Sequence, residues 1–207
     1  MAGDILCCHA ECQIRHDILR RLQWDVVGPL DTIEIAIGPP DQVINESLLS
    51  SSLADELLYD SPCSRIDEIL IRDFSDREDQ DIYYPKEDRY KGPPALEIIN
   101  TDDSPITLRK FVTEFHAYVG RNMEELRRVI SATYGEWIVH ADGSHEHRTI
   151  YGRPVTLPDN LRIFFAHVMA FVREETGKNV ILVRLVAEGG AGWSPSFWTN
   201  RQKNIGW

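Results

Sequence analysis

The sequence predicts an α+β fold, a single domain in which an antiparallel or mixed sheet packs against several helices. Three observations lead there. The 207 residues match one domain of the usual ~100–200. Alternating apolar runs and runs with helical spacing both occur, without the repeating strand–helix–strand rhythm or phosphate loop of parallel α/β folds. Finally, Asp142-Gly143 sits between two strand-like runs, a hairpin signal that implies antiparallel pairing.

Gly28-Pro29, Gly38-Pro39-Pro40 and Gly92-Pro93-Pro94 punctuate the chain, since proline removes the donor that a helix or ladder needs. Ahead of them, Ile14, Ile18, Leu19 and Leu22 recur at helical spacing and predict a helix over 8–22. Ile33, Ile35 and Ile37 alternate, which predicts a half-buried strand over 32–37. Asp41 reads as the cap of a helix carrying Val43, Ile44, Leu48, Leu49, Leu53, Leu57 and Leu58 to Tyr59, weakened at Ser50-Ser51-Ser52. Residues 66–74 fit a strand. The stretch 75–91 holds Asp76, Glu78, Asp79, Asp81, Glu87 and Asp88 among Arg77, Lys86 and Arg89, is broken by Pro85, and predicts a mobile acidic surface loop.

The second half is more regular. Residues 95–99 form a strand, and Thr107 caps a helix with the stripe Leu108, Phe111, Val112, Phe115, Tyr118 and Val119, ended by Gly120. Asn122 and Glu125 have capping-box spacing ahead of Met123, Leu126, Val129 and Ile130, a second helix reaching Gly135. The hairpin pairs 136–141 with 144–151. Leu161, Ile163, Phe164, Phe165, Val168, Met169, Phe171 and Val172 predict a long core helix over 160–176, capped by Asp159 and closed by Gly177. A strand over 180–186, interrupted by Arg184, leads into a Gly- and Trp-rich tail over 189–207.

Composition excludes some functions. Acidic side chains number 33 against 22 basic ones, so the formal net charge of −11 repels a polyanion and argues against a nucleic-acid partner. No apolar run reaches the ~18 residues of a membrane span. The first residues lack the basic flank and hydrophobic stretch of a secretion signal, so the expected location is cytoplasmic or nuclear. Cys7, Cys8, Cys12 and Cys63 are not spread as a disulfide framework, and reduced thiols are expected.

The stretch Pro93-Pro-Ala-Leu-Glu-Ile-Ile-Asn100, a polar turn, Ile106-Thr-Leu-Arg-Lys-Phe-Val112 and an aromatic helix end at Tyr118 together resemble a pattern in uncharacterised fungal proteins. The resemblance covers a short middle part of the chain. It implies a eukaryotic intracellular domain of unknown activity and maps no site residue.

Candidate chemistry gathers in three places. With a two-residue turn at Asp142-Gly143, His140 opposes His145 and Ile138 opposes His147, placing three imidazoles on one face with opposed Cβ atoms about 5 Å apart. Such a set suits zinc with an open position, completed by Glu136 or Asp142; a one-residue change of register removes His140 from it. The plainer alternative is an exposed hairpin that binds nothing. At the amino terminus, Cys8 and His16 lie about 12 Å apart along a helix, so only an i, i+4 pair such as Cys8/Cys12 or Cys12/His16 could be half of a zinc staple, with the other half from Cys63 or the hairpin. Cys63 acts as a nucleophile only if His116 or His167 folds beside it, and a thiol without a role is the default. Last, Trp193, Phe197, Trp198 and Trp207 of the tail either fold back over the core or anchor a partner, while Tyr83, Tyr84 and Tyr90 among acidic residues suit a basic partner.

The leading expectation is an intracellular protein-interaction module without catalytic activity. It contacts an unknown protein partner, and neither nucleic acid nor membrane, through Tyr83, Tyr84, Tyr90, Trp193, Trp198 and Trp207. The alternatives are a zinc-dependent hydrolase-type enzyme at His140, His145 and His147, and a domain stapled by zinc through Cys8, Cys12 and Cys63.

Overall fold

The longest hairpin of the chain organises the computed structural model, which describes residues 14–39, 42–134, 136–148, 156–190 and 192–203. Strand β8 (Ile163–Arg173) and strand β9 (Lys178–Ala187) are antiparallel, and the turn between them is closed by Thr176 and Gly177 N–H groups donating to the Arg173 carbonyl at 3.2 and 2.8 Å. Gly177 takes a φ of 66° there, the left-handed conformation that glycine adopts without strain. Strand β4 (Arg65–Ile71) pairs with β9 in parallel and with β5 (Leu96–Ile99) antiparallel, giving a mixed four-stranded sheet of order β5-β4-β9-β8. A second antiparallel sheet joins β1 (Leu22–Gln23), β2 (Glu34–Ile37) and β3 (Ile44–Ser47), and a separate hairpin joins β6 (Glu136–Val139) to β7 (His145–Arg148). The helices are α1 (His16–Leu19), α2 (Arg72–Gln80), α3 (Leu108–Arg121), α4 (Met123–Tyr134) and α5 (Phe197–Lys203). The fold is α+β, a single domain.

The predicted stripe of α3 is buried in full. The Thr107 hydroxyl accepts the Lys110 N–H at 3.3 Å, satisfying a donor that the first turn leaves free. The helix passes Gly120 to Arg121, and the Asn122 side-chain amide then donates to the Tyr118 carbonyl at 2.8 Å. Asn122 thus closes the end of α3. The Glu125 carboxylate, expected to return to Asn122, binds Arg128 instead.

Trp24 stands at the centre of the core with no exposed surface. Its ring meets Phe115 of α3 edge-on at 5.8 Å and stacks on Phe165 of β8 at 5.3 Å. The backbone follows: Phe165 N–H donates to the Trp24 carbonyl at 3.0 Å and Val26 N–H to the Ile163 carbonyl at 2.8 Å. These bonds stitch the smaller sheet to the edge of β8 and cover edge groups that would otherwise invite another strand.

Three predicted helices are corrected. Residues 160–176 form β8 and its turn. The run is apolar on both sides, so spacing does not separate a buried helix from a strand buried on two faces, and its aromatic and β-branched residues favour the strand. Within 41–59 the chain forms β3 and two short 3-10 turns, Leu48–Ser50 and Ser52–Asp55. Here the Ser51 hydroxyl accepts the Leu53 N–H at 3.2 Å and the Ser50 hydroxyl donates to Ser47 at 3.1 Å, local bonds that compete with a helix. Of the helix over 8–22 only α1 forms among the described residues, because Ile14 bridges to Tyr59 and Leu22 enters β1. The acidic loop is corrected too, since its first part belongs to α2, which buries Asp73 and Phe74.

Replacing Trp24 by alanine is expected to cost about 3–5 kcal/mol, the usual loss for a large aromatic in a close-packed core. The measurement is the urea midpoint of unfolding, and Trp24→Phe should recover part of the loss.

Candidate functional site

The β6–β7 hairpin adopts a different register from the one its Asp-Gly pair suggests. His140 N–H donates to the Ser144 carbonyl and Gly143 N–H to the His140 carbonyl, both at 2.9 Å, and Gly143 has a φ of 81°. The connection is therefore a three-residue loop with a left-handed glycine. Asp142 stabilises it by accepting the Ser144 hydroxyl and N–H at 2.6 and 2.9 Å, which hold its carboxyl below the usual range. Pairing runs Val139 to His145, Ile138 to Glu146 and Trp137 to His147. His140 falls on the opposite face from His145, with its Nε2 at 3.1 Å from Glu146 Oε2. The expected face shared by His140, His145 and His147 does not form, because adding one residue to the loop reverses the alternation. Among the described residues no group of three or more His, Cys, Asp or Glu is placed to hold a metal.

His145 ties the hairpin to the main sheet. Its side chain is buried, with Nδ1 at 3.1 Å from Glu188 Oε2, close enough for an ion pair but poorly aligned for a hydrogen bond. Arg162 forks onto the same carboxylate, donating to both oxygens, and first holds Glu188 below the ordinary carboxylate range. Asp25 lies alongside and accepts Val27 N–H at 3.1 Å and Ile163 N–H at 3.3 Å, while its burial pushes its carboxyl up. Next in sequence, Gly189 has a φ of 75°, and a Cβ there would stand 2.3 Å from the His145 carbonyl oxygen. The hairpin backbone rests directly on that glycine.

The thiol candidates are placed as follows. Cys63 is buried and donates to the Arg65 carbonyl at 3.0 Å. His116 lies against Trp24 at 6.1 Å, and His167 lines a groove described below. Cys8 and Cys12 lie outside the described residues.

The acidic segment after α2 is pinned by its own carboxylates. Asp81 accepts the Tyr90 N–H at 2.9 Å and Arg77 at 2.5 Å, and these, the Tyr90 bond first, hold its carboxyl low. Glu78 accepts the Gly92 N–H at 2.8 Å, and Arg89 donates to the Tyr84 carbonyl at 2.8 Å. Tyr90 is half-buried between the Arg77 and Arg128 guanidinium groups, 5.9 and 5.5 Å from its ring centre. Its phenol is pushed up by burial and then by Glu125. Tyr83 and Tyr84 point the other way, 96% and 58% exposed, beside Ile82 at 54%.

The described part of the tail folds back. Phe197 and Trp198 of α5 cover Phe164 of β8 at 6.1 and 5.3 Å, and Trp193 is half-buried; Trp207 lies outside the described residues. Arg201 fastens the helix by donating to the carbonyls of Leu19 at 2.7 Å, Arg20 at 3.1 Å, Phe165 at 3.2 Å and Ala166. The Phe165 and Ala166 carbonyls lie at a bulge, where register jumps from Phe165–Leu185 to His167–Arg184 and Ala166 is the extra residue. Nothing in the sequence pattern marks this role for Arg201.

Beside the bulge lies an open groove of about 600 Å³, lined by Arg20, His167, Arg184 and Arg201 with Ser194, Phe197 and Asn200. His167 and Arg184 are cross-strand neighbours. Burial, and then Arg184, Arg201, Arg72 and His16, lower the His167 pKa.

Gly189→Ala is expected to destabilise by about 2–4 kcal/mol through left-handed strain plus backbone overlap, whereas Gly143→Ala, with open space around it, should lose only about 1 kcal/mol. Denaturant unfolding measures the difference. Glu188→Gln should cost about 1–3 kcal/mol at neutral pH. Because the folded value lies below the ordinary 4.5, this contribution is present above pH 4.5 and fades as pH falls through the folded value, so the two unfolding curves should converge in acid. No known family model, curated protein or solved structure matches the chain.

Proposed function

We propose that the protein is an interaction module without catalytic activity, which docks a basic segment of a partner protein on the tyrosine-bearing acidic segment that follows α2. The observation that carries the reading is Ile82, Tyr83 and Tyr84 standing exposed together on a segment that Asp81 and Glu78 hold in place. Apolar and aromatic side chains so exposed are rarely left without use, and a segment already fixed by its own hydrogen bonds loses little freedom on binding.

Charge names the kind of partner. Asp79, Glu87 and Asp88 are exposed around the aromatic tip and make no ion pair among the described residues. A lysine- or arginine-rich segment would meet these carboxylates and stack its cations on the tyrosine faces. Tyr90 supports the surface from within. Trp198 is packed on Phe164 of β8, and the reading rests on the tyrosine-bearing segment alone.

The probe is a fluorescent Lys/Arg-rich peptide titrated with the protein. Tyr83→Ala/Tyr84→Ala should leave unfolding stability within about 0.5 kcal/mol of the parent and weaken binding at least tenfold, and added salt should weaken binding of the parent. Undiminished binding by the double variant sinks the reading, as does the absence of any binding to basic peptides by the parent.

A further inference from the structure

The geometry points to a second site: the groove between the β8 bulge and α5 binds the phosphoryl group of a small metabolite. The protein carries a formal charge of −11, yet Arg20, His167, Arg184 and Arg201 converge on one groove. The groups that bear electrostatically on His167 are Arg184, Arg201, Arg72 and His16, all of them basic. His167 and Arg184 are cross-strand neighbours at the bulge, so a neutral imidazole and a guanidinium stand side by side on the groove wall.

The parts of the groove have separate tasks. Arg201 spends its donors on backbone carbonyls, so it contributes field more than hydrogen bonds. Arg184 makes no ion pair among the described residues. Gly192, with a φ of 89°, stands beside the Arg184 guanidinium, and a Cβ there would approach Nη2 to 3.3 Å. The planar fork is left to donate to two oxygens of a tetrahedral anion. His167, brought opposite Arg184 by the bulge, adds a third donor. Ser194 and Asn200 face them from the tail, and Phe197 and Val186 supply an apolar surface for the body of the ligand. About 600 Å³ suits a small molecule. An extended nucleic acid would run over the acidic remainder of the surface, whereas a compact anion needs to meet only the basic groove.

The test is thermal unfolding and calorimetric titration of the whole protein with inorganic phosphate and with phenyl phosphate, against sodium chloride and succinate at equal ionic strength. Both phosphates should raise the melting temperature in a saturable way, with phenyl phosphate binding more tightly. Arg184→Gln should weaken phosphate at least tenfold while keeping the parent's melting temperature in chloride to within a few degrees; His167→Gln should weaken it several-fold. Arg121→Gln, an exposed cation on α3 away from the groove, should change nothing. Phosphate acting no differently from chloride overturns the site. So does an equal loss with Arg121→Gln, which would mean general charge screening. Succinate binding as well as phosphate overturns the phosphoryl assignment in favour of a carboxylate. If Arg184→Gln fails to fold, Gly192→Val, which crowds the guanidinium from above, takes its place, and retained phosphate affinity in that variant also overturns the site.

Discussion

Phe164 and Phe165 are adjacent on one strand, point to opposite faces of the sheet, and are both buried. That pair dictates much of the architecture. Burying a large side chain is worth about 1.5–3 kcal/mol, so neither face can be left to water at little cost. Trp24 and α3 cover Phe165, while Phe197 and Trp198 cover Phe164. The tail is thus the second wall of the core. The bulge at Ala166 follows from the same demand, since Arg201 fastens that wall by filling carbonyls that the disrupted ladder releases.

The charge distribution has two poles. Exposed carboxylates crowd the segment after α2, while cations collect between β8 and α5. Buried carboxylates, by contrast, are matched closely: Glu188 by Arg162 and His145, and Asp81 by Arg77 and a backbone N–H. Matched pairs hold elements together, whereas unmatched charge is left for other molecules.

Much of this was legible in the sequence. The stripe of α3 and the strands β4 and β5 follow from spacing, the β6–β7 hairpin from its Asp-Gly pair, and β9 from a short run rich in β-branched residues. The apolar run from Leu161 to Val172 lacks the contrast of one apolar face and one polar face and lost the signal that separates helix from strand. Ile44, predicted to be buried in a helix, is 66% exposed on β3, since serine hydroxyls at 50 and 51 turn the chain before a helix can propagate. At the candidate sites, Tyr83 and Tyr84 were readable from composition. The histidine geometry depended on one residue of loop length. Arg201 could not have been read, as its acceptors are main-chain carbonyls that every sequence possesses and only a bulge exposes.

The parallel pairing of β4 with β9 joins segments far apart along the chain; the bond from Asn179 N–H to Asp67 at 3.0 Å spans 112 positions. During synthesis β4 leaves the ribosome long before its partner exists. Contacts so distant form late because the intervening loop must close first. In that interval one side of β4 stays unpaired, apart from its hairpin-like contact with β5, and the nascent polypeptide presents an open ladder to its neighbours. The smaller sheet is built from residues nearer in sequence, so the cost of closing a long loop falls on the β4–β9 pairing.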